Sequence, residues 1–299
     1  MIHYSFIIPH HNAPDLLERC INSIPARSDI QIIVIDDNSE ELLRPKNIRK
    51  DVEIVYIDKN NTRGAGHARN EGIKRAVGEW VLFVDCDDFL TDNAISVLDK
   101  FKDSLSDIVF FKISAVDSET LKPSNRCLTF NDYINAHQKR CILSEGTLRY
   151  IQCVPWGKMI RRTLIVNHNI QFEEIKYGND VIFSLRCGVH AKKIESTNDI
   201  LYVVTDREGS LITQVSFESV LCRYKVSMRR SKILVDHKKL LFLGNITPDK
   251  KRIEKEFGVE KLGEFYTSAA KCGFNKTSLQ VYSAIGMIGS LLRFLSRKL

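Results

Sequence analysis

The chain has 299 residues, 43% of them hydrophobic and 27% charged, with a formal net charge of +7. That balance suits one large globular domain or two smaller ones and excludes a low-complexity or collagen-like chain. The cationic excess suits nucleotide phosphates, anionic lipid or nucleic acid and does not choose among them. The eight cysteines (Cys20, Cys86, Cys127, Cys141, Cys153, Cys187, Cys222 and Cys272) are scattered without a C-x-x-C pair. This argues against a zinc ribbon or a dense disulfide framework and for reduced, mostly buried thiols.

The N-terminus, Met1 to Pro9, has no basic n-region and no cleavage site, so it reads as a first strand instead of a signal peptide. Residues 4–8 are β-rich, and Pro14-Asp15 opens a helix over 14–24 with Leu16, Leu17, Cys20, Ile21 and Ile24 at helical spacing. Ile30 to Ile35 is an apolar run stopped by Asp36-Asp37-Asn38-Ser39, and Val52 to Ile57 is stopped by Asp58. Gly66 to Val77 reads as a helix closed by Gly78, and Trp80 to Val84 as the next strand. Strands separated by helix-length connections predict a largely parallel, Rossmann-like α/β sheet flanked by helices.

A short helix over 94–101 and a strand from Asp107 to Val116 follow. The polar stretch from Asp117 to about Ser144 reads as a long irregular loop. Order returns through Leu148–Cys153 and Trp156-Gly157-Lys158-Met159-Ile160-Arg161-Arg162, with a helix ending near Asn167. Gly178-Asn179-Asp180 marks a helix start, and 199–205 a strand. From about Phe217 the pattern is helical and basic. The expected division is a sheet domain over 1–215, with halves 1–105 and 106–215, and a helical C-terminal region over 216–299. No run of about 18 uninterrupted apolar residues occurs, so no spanning helix is expected.

The chemistry concentrates where strands stop. Val81 to Val84 can be buried in a sheet, but Asp85, Asp87 and Asp88 cannot be buried without counter-charge, so they belong at a carboxyl edge. Asp85-x-Asp87 suits a hard divalent cation, which in turn suits a diphosphate; an acidic turn with a helix cap is the plainer alternative. Asp37 could accept a base N–H or a ribose hydroxyl, or sit in an Asp/Asn/Ser turn. His10 and His11 do not read as zinc ligands, because adjacent side chains diverge and no further ligands lie nearby. Gly64-Ala65-Gly66-His67-Ala68-Arg69 opens like a dinucleotide fingerprint. Arg69 replaces its third glycine, however, and Lys59–Arg63 separates it from the strand, which argues against a nicotinamide or flavin dehydrogenase. Its glycine-rich helix entry could still present N–H groups to an anion, with Arg63 and Arg69 as partners. Asp180 is either a helix cap or a carboxylate facing the same cleft, and Trp156 either a core aromatic or a sugar-stacking platform.

Taken in order, these pieces resemble family 2 of the glycosyltransferases, which have the GT-A fold. Pro9-His10-His11-Asn12 is similar to the family's Pro-x-Tyr-Asn, and Asp36-Asp37-Asn38-Ser39 to its Asp-Asp-x-Ser. Gly64 to Gly72 matches Gly-x-x-x-Ala-Arg-Asn-x-Gly, and Asp85-Cys86-Asp87-Asp88 matches Asp-x-Asp-Asp. The match is close over residues 4–92 and weaker through Trp156–Arg162, Phe172-Glu173-Glu174 and Gly178-Asn179-Asp180, with nothing family-wide beyond about 215. Asn179 stands where many members have Glu, and His11 where they have Tyr.

The resemblance implies an inverting transfer from a nucleotide-sugar, a UDP-sugar above all, to a glycan or lipid-linked hydroxyl in surface-polysaccharide assembly. It implies a donor site at Pro9, Asn12, Asp37, Arg63, Arg69, Asp85, Cys86 and Asp87. Mg²⁺ or Mn²⁺ would sit on Asp87 and Asp85, Asp180 would be the base, and Trp156 and Lys158 would face sugar. The competing readings are a degenerate member that binds without turnover and a sugar-phosphate nucleotidyltransferase; the latter would need a glycine-rich, Arg-containing loop where Pro9-His10-His11 stands. A cytoplasmic location is expected, with no nucleic-acid partner. The tail Ser278–Leu295, flanked by Lys276, Arg293, Arg297 and Lys298, could lie on the inner face of a membrane or dock as a core or partner-binding helix.

Overall fold

The apolar runs of the first hundred residues become parallel strands of one sheet, and β1, β2 and β4 at its centre bury both faces. The structure, a computed structural model, describes residues 1–46, 48–207, 216–245 and 247–298. In chain order the sheet domain holds β1 (Tyr4–His10), α1 (Pro14–Asn22), β2 (Ile30–Asp37), β3 (Val52–Ile57), α2 (Ala65–Arg75), β4 (Trp80–Phe83), β5 (Phe89–Leu90) and α3 (Ala94–Asp99). It continues with β6 (Ile108–Asp117), α4 (Thr129–Gln138), α5 (Ser144–Tyr150), β7 (Lys158–Arg161), α6 (Arg162–Asn167), α7 (Val181–His190) and β8 (Ile194–Asp206). The C-terminal region holds α8 (Phe217–Asp236), α9 (Thr247–Phe257), α10 (Leu262–Lys271) and α11 (Lys276–Lys298).

The eight strands lie in the order β3-β2-β1-β4-β7-β6-β8-β5. Pairing is parallel through β3, β2, β1 and β4, antiparallel on both sides of β7 and between β5 and β8, and parallel between β6 and β8. Alternate residues feed two cores. Phe6, Ile8, Ile32, Val34, Trp80 and Leu82 pack with α1 and α3 through Leu17, Cys20, Val97 and Leu98. Ile7, Ile33, Ile35, Val81 and Phe83 pack on the other face with Ala68 of α2 and Phe183 of α7. A separate cluster holds the C-terminal helices together through Tyr224, Met228, Phe265, Ala269 and Leu279. Tyr150 and Leu185 join it to the sheet domain by packing with Leu234, Phe242 and Leu243.

Three expectations are corrected here. The stretch 117–144 contains a helix, α4, whose Ile134 and Ala136 are buried, although its polar composition gives a weak apolar stripe. β8 begins at Ile194, well before the expected 199, because its first residues pair with Ile108–Phe110 of β6. The tail is one helix, and by length and composition alone Lys276–Leu295 is long and apolar enough to cross a membrane. All eight cysteines are free of disulfides.

Candidate active site

Register brings the acids together. Ile7 is level with Phe83, and Pro9 with Ile35, so the ends of β1, β2 and β4 arrive at one edge of the sheet. There Pro9, His10, Asp37, Arg69, Asp85, Cys86, Asp87 and Asp180 line one cavity of about 610 Å³. The lining also includes Lys176, Tyr177, Asn179, Arg207 just past β8 and Arg223 from α8.

The paired acids divide their work. Asp36, fully buried, accepts from Ser39 Oγ at 2.5 Å and from the Ser39 amide at 3.1 Å. His10 Nδ1 lies 2.7 Å from Asp36 Oδ1, while His10 Nε2 accepts from the Ala13 amide, so Nδ1 carries the proton and donates to Asp36. Burial acts to raise the Asp36 carboxyl, but the His10 and Ser39 hydrogen bonds outweigh it and hold the group below its usual range. His10 is therefore a structural strut with both ring nitrogens occupied. Asp37 faces the cavity, each oxygen taking one bond, from Thr62 Oγ1 and the Gly64 amide, both at 2.9 Å. The glycine-rich entry to α2 thus presents that amide to the chain's own carboxylate.

The same division recurs after β4. Asp88 is buried; its oxygens accept from Tyr202 Oη (2.7 Å) and the Thr205 amide (2.7 Å), tying this loop to β8. Tyr202 Oη also accepts from the Asp85 amide at 3.0 Å, so one hydroxyl fixes both ends of the acidic turn. Asp88 is a tie to β8. Asp85 and Asp87 remain half-open to the cavity, and ligand oxygens of Asp85, Asp87 and Asp88 lie within 4.8 Å of one another. Arg69 donates to Asp85 Oδ1 at 2.5 Å and to Asn179 Oδ1 at 3.0 Å. Arg207 pairs with Asp87 at 3.2 Å. Burial, reinforced by the neighbouring Asp85 charge, pushes the Asp87 carboxyl up.

Asp180 occupies the N-cap position of α7, yet its side chain accepts no capping hydrogen bond. The carboxylate lines the cavity instead, and burial raises it above its usual range against the lowering pull of Arg69. Its placement depends on the loop before it. Gly66 allows that loop to lie on α2, since a Cβ at Gly66 would come 2.1 Å from the Glu173 carbonyl oxygen. This packing, invisible in the sequence, accounts for the second glycine of the fingerprint-like stretch.

Four expected site residues lie away from the cavity lining. Asn12 accepts from the Glu40 amide at 2.8 Å and so closes the turn after β1. Arg63 points outward and pairs with Glu174 at 2.9 Å. Trp156 is a core aromatic, stacked on Tyr202 at 5.4 Å and edge-on to Phe130, with no free face for a sugar. Lys158 is buried behind the site; its ammonium donates to the Gln152 carbonyl oxygen, and burial lowers its pKa to about 8. Conversely, Tyr177, Arg207 and Arg223 were missed. Each lies outside any motif: Tyr177 comes in with the loop before α7, and Arg207 and Arg223 only because β8 and α8 end or pass beside the sheet edge.

Comparison with known proteins points the same way. The chain is 27% identical over 216 residues to a poly(ribitol-phosphate) beta-glucosyltransferase of Bacillus spizizenii, covering 69% of this chain but only 32% of that protein. It is 28% identical over 247 residues to the uncharacterized glycosyltransferase EpsJ of Bacillus subtilis, covering 77% of this chain and 68% of the relative. The fold superposes on residues 1–349 of Staphylococcus aureus TarS, solved in complex with UDP-GlcNAc, with a TM-score of 0.71 at 20% identity; the match covers 98% of this chain and 87% of the other. Residues 5–163 match the profile of glycosyl transferase family 2, more than half of the sequence, and the chain belongs to that family.

Proposed function

We propose that this protein transfers a sugar from a nucleoside diphosphate sugar, a UDP-sugar above all, to a hydroxyl of a glycan or lipid-linked acceptor, with inversion. The observation that carries the reading is Asp180: a half-buried carboxylate that makes no capping bond and lines the same cavity as Asp37, Asp85 and Asp87. The UDP-GlcNAc in the TarS structure supports a nucleotide-sugar donor, and the poly(ribitol-phosphate) beta-glucosyltransferase relative supports a polymer acceptor.

Asp37 retains acceptor capacity on both oxygens for a base N–H or ribose hydroxyl, with Pro9 and Cys86 as walls of the same subsite. Asp85 uses Oδ1 on Arg69 and Asp87 uses Oδ2 on Arg207, leaving one oxygen of each for a hard divalent cation such as Mg²⁺ or Mn²⁺. Asp88 fits no ligand role, because Tyr202 and Thr205 occupy its oxygens. When bound, such a cation would offset the charge that builds on the departing diphosphate. Arg69 fixes Asp85 and Asn179, and its charge opposes the effect of burial on the Asp180 carboxyl. Asp180 then takes the acceptor hydroxyl's proton as that oxygen attacks opposite the leaving group. Its raised pKa makes it a stronger base than an exposed aspartate.

Asp180→Asn is the direct test. Transfer should fall by about 10²- to 10⁴-fold, while donor binding, read by thermal shift with Mn²⁺, should persist. Retained turnover would remove Asp180 as the base.

A further inference from the structure

α11 has two apolar faces, and only one of them is covered. Leu279, Ser283, Gly286 and Gly289 turn inward and are buried. A Cβ at Gly289 would lie 2.0 Å from the Leu241 carbonyl oxygen, and one at Gly286 would lie 2.9 Å from those of Leu243 and Gly244. The two glycines therefore let the helix seat directly on the 240–244 backbone, and the Arg293 guanidinium donates to Leu241 O at the same contact. On the opposite face Val281, Ile288, Leu291, Leu292 and Leu295 are 42–57% exposed and recur at spacings of seven, three, one and three residues. No charged side chain interrupts this stripe. A cavity of about 560 Å³ opens beside it, between Met287, Leu291 and Phe294 on α11 and Ile151 and Leu243 on the protein, with Arg293 also in its lining.

Charge selects what covers the stripe. Residues 276–299 contain no acid, while Lys276 stands at one end of the sequence and Arg297 and Lys298 at the other, beyond Arg293 on its Leu241 contact. Two copies zipped along their stripes, parallel or antiparallel, would set these cations against each other. Anionic phospholipid headgroups would attract them. Crossing the bilayer would require the helix to leave the 240–244 seat and expose it. A helix docked along one side and apolar along the other is instead suited to lie in the plane of the interface.

We propose that α11 is an in-plane anchor whose outward stripe seats in the interfacial layer of an anionic bilayer while its inward face stays on the protein. The inference is independent of the transfer reaction, because lipid binding is read without donor. The test is sedimentation of the full chain with vesicles of phosphatidylcholine alone or with about 30% phosphatidylglycerol, for the unaltered protein and for Ile288→Glu/Leu291→Glu. The expected result is co-sedimentation that is at least tenfold stronger with phosphatidylglycerol, weakens with salt, and falls at least tenfold in the double variant. Thermal melting should be unchanged, because both side chains are exposed. Equal binding by the double variant would overturn the proposal. So would resistance of the unaltered membrane-bound protein to alkaline extraction, which would mean spanning. A dimer in solution that the variant converts to monomer, without vesicle binding, would overturn it in favour of self-association.

Discussion

The carboxyl edge of β1, β2 and β4 and the C-terminal helical region place their polar groups by opposite means. At the sheet edge each acidic pair splits into one member away from the cavity lining and held by the chain, Asp36 or Asp88, and one that lines the cavity, Asp37 or Asp87. The supporting groups are close in space: His10, Ser39, Tyr202 and Thr205 fix the turns before any ligand arrives. The C-terminal region reaches the cavity with Arg223, whose guanidinium lies 5.2 Å from the Tyr177 ring. A preorganised edge is suited to a step that tolerates little misplacement, and a wall built of long side chains to a substrate whose shape varies.

The comparison breaks most readily at Asp87. Asp87→Ala should reduce metal-dependent transfer by about a thousandfold with the melting temperature little lowered, measured at saturating donor. Unchanged activity would mean that the edge does not hold the metal.

Next comes the support beneath it. Tyr202→Phe removes the one hydroxyl that joins Asp85 and Asp88 and should cost about 1–3 kcal/mol of stability, read by denaturant unfolding. If the edge is preorganised as proposed, kcat falls while the donor KM moves little.

Asp180 sharpens the comparison through pH. Its carboxyl pKa is raised in the folded chain, so its contribution favours folding at low pH and is lost as pH rises through the folded value. Asp180→Asn should accordingly melt higher than the unaltered protein near neutral pH, with the difference vanishing in acid. The acidic limb of the rate profile should lie above the ordinary aspartate range. An Asp180→Asn protein that melts lower at pH 7 would contradict this sign.

The smallest effect belongs to the helical wall. Arg223→Ala should raise the acceptor KM by about fivefold, equivalent to ~1 kcal/mol for a cation–aromatic contact, and leave donor binding in place. An effect as large as that of Asp87→Ala would erase the contrast between edge and wall.

Much of this site was legible because its signals are local. An apolar run that stops at an acid marks the carboxyl end of a strand, and Asp37, Arg69, Asp85, Asp87 and Asp180 all reach the cavity as the motifs suggested. The motif residues that miss the lining fail for one reason: a motif records residue type and spacing and carries nothing about direction. Asn12 and Arg63 turn to Glu40 and Glu174, and Trp156 and Lys158 turn into the interior. Tyr202 and Arg223 gave no local signal, since their partners lie more than 40 residues away in sequence.

By itself the sequence determined the alternation of strands and helices, the parallel first half of the sheet and the acids at its edge. Burial of two-faced strands and the cost of burying carboxylates leave few other arrangements. Tertiary structure alone decided which acid of each pair is a tie and which faces the cavity. It also decided that Asp180 faces the cavity without capping α7, and which face of α11 is covered. Those outcomes depend on partners brought together from distant strands and helices, and no local pattern encodes them.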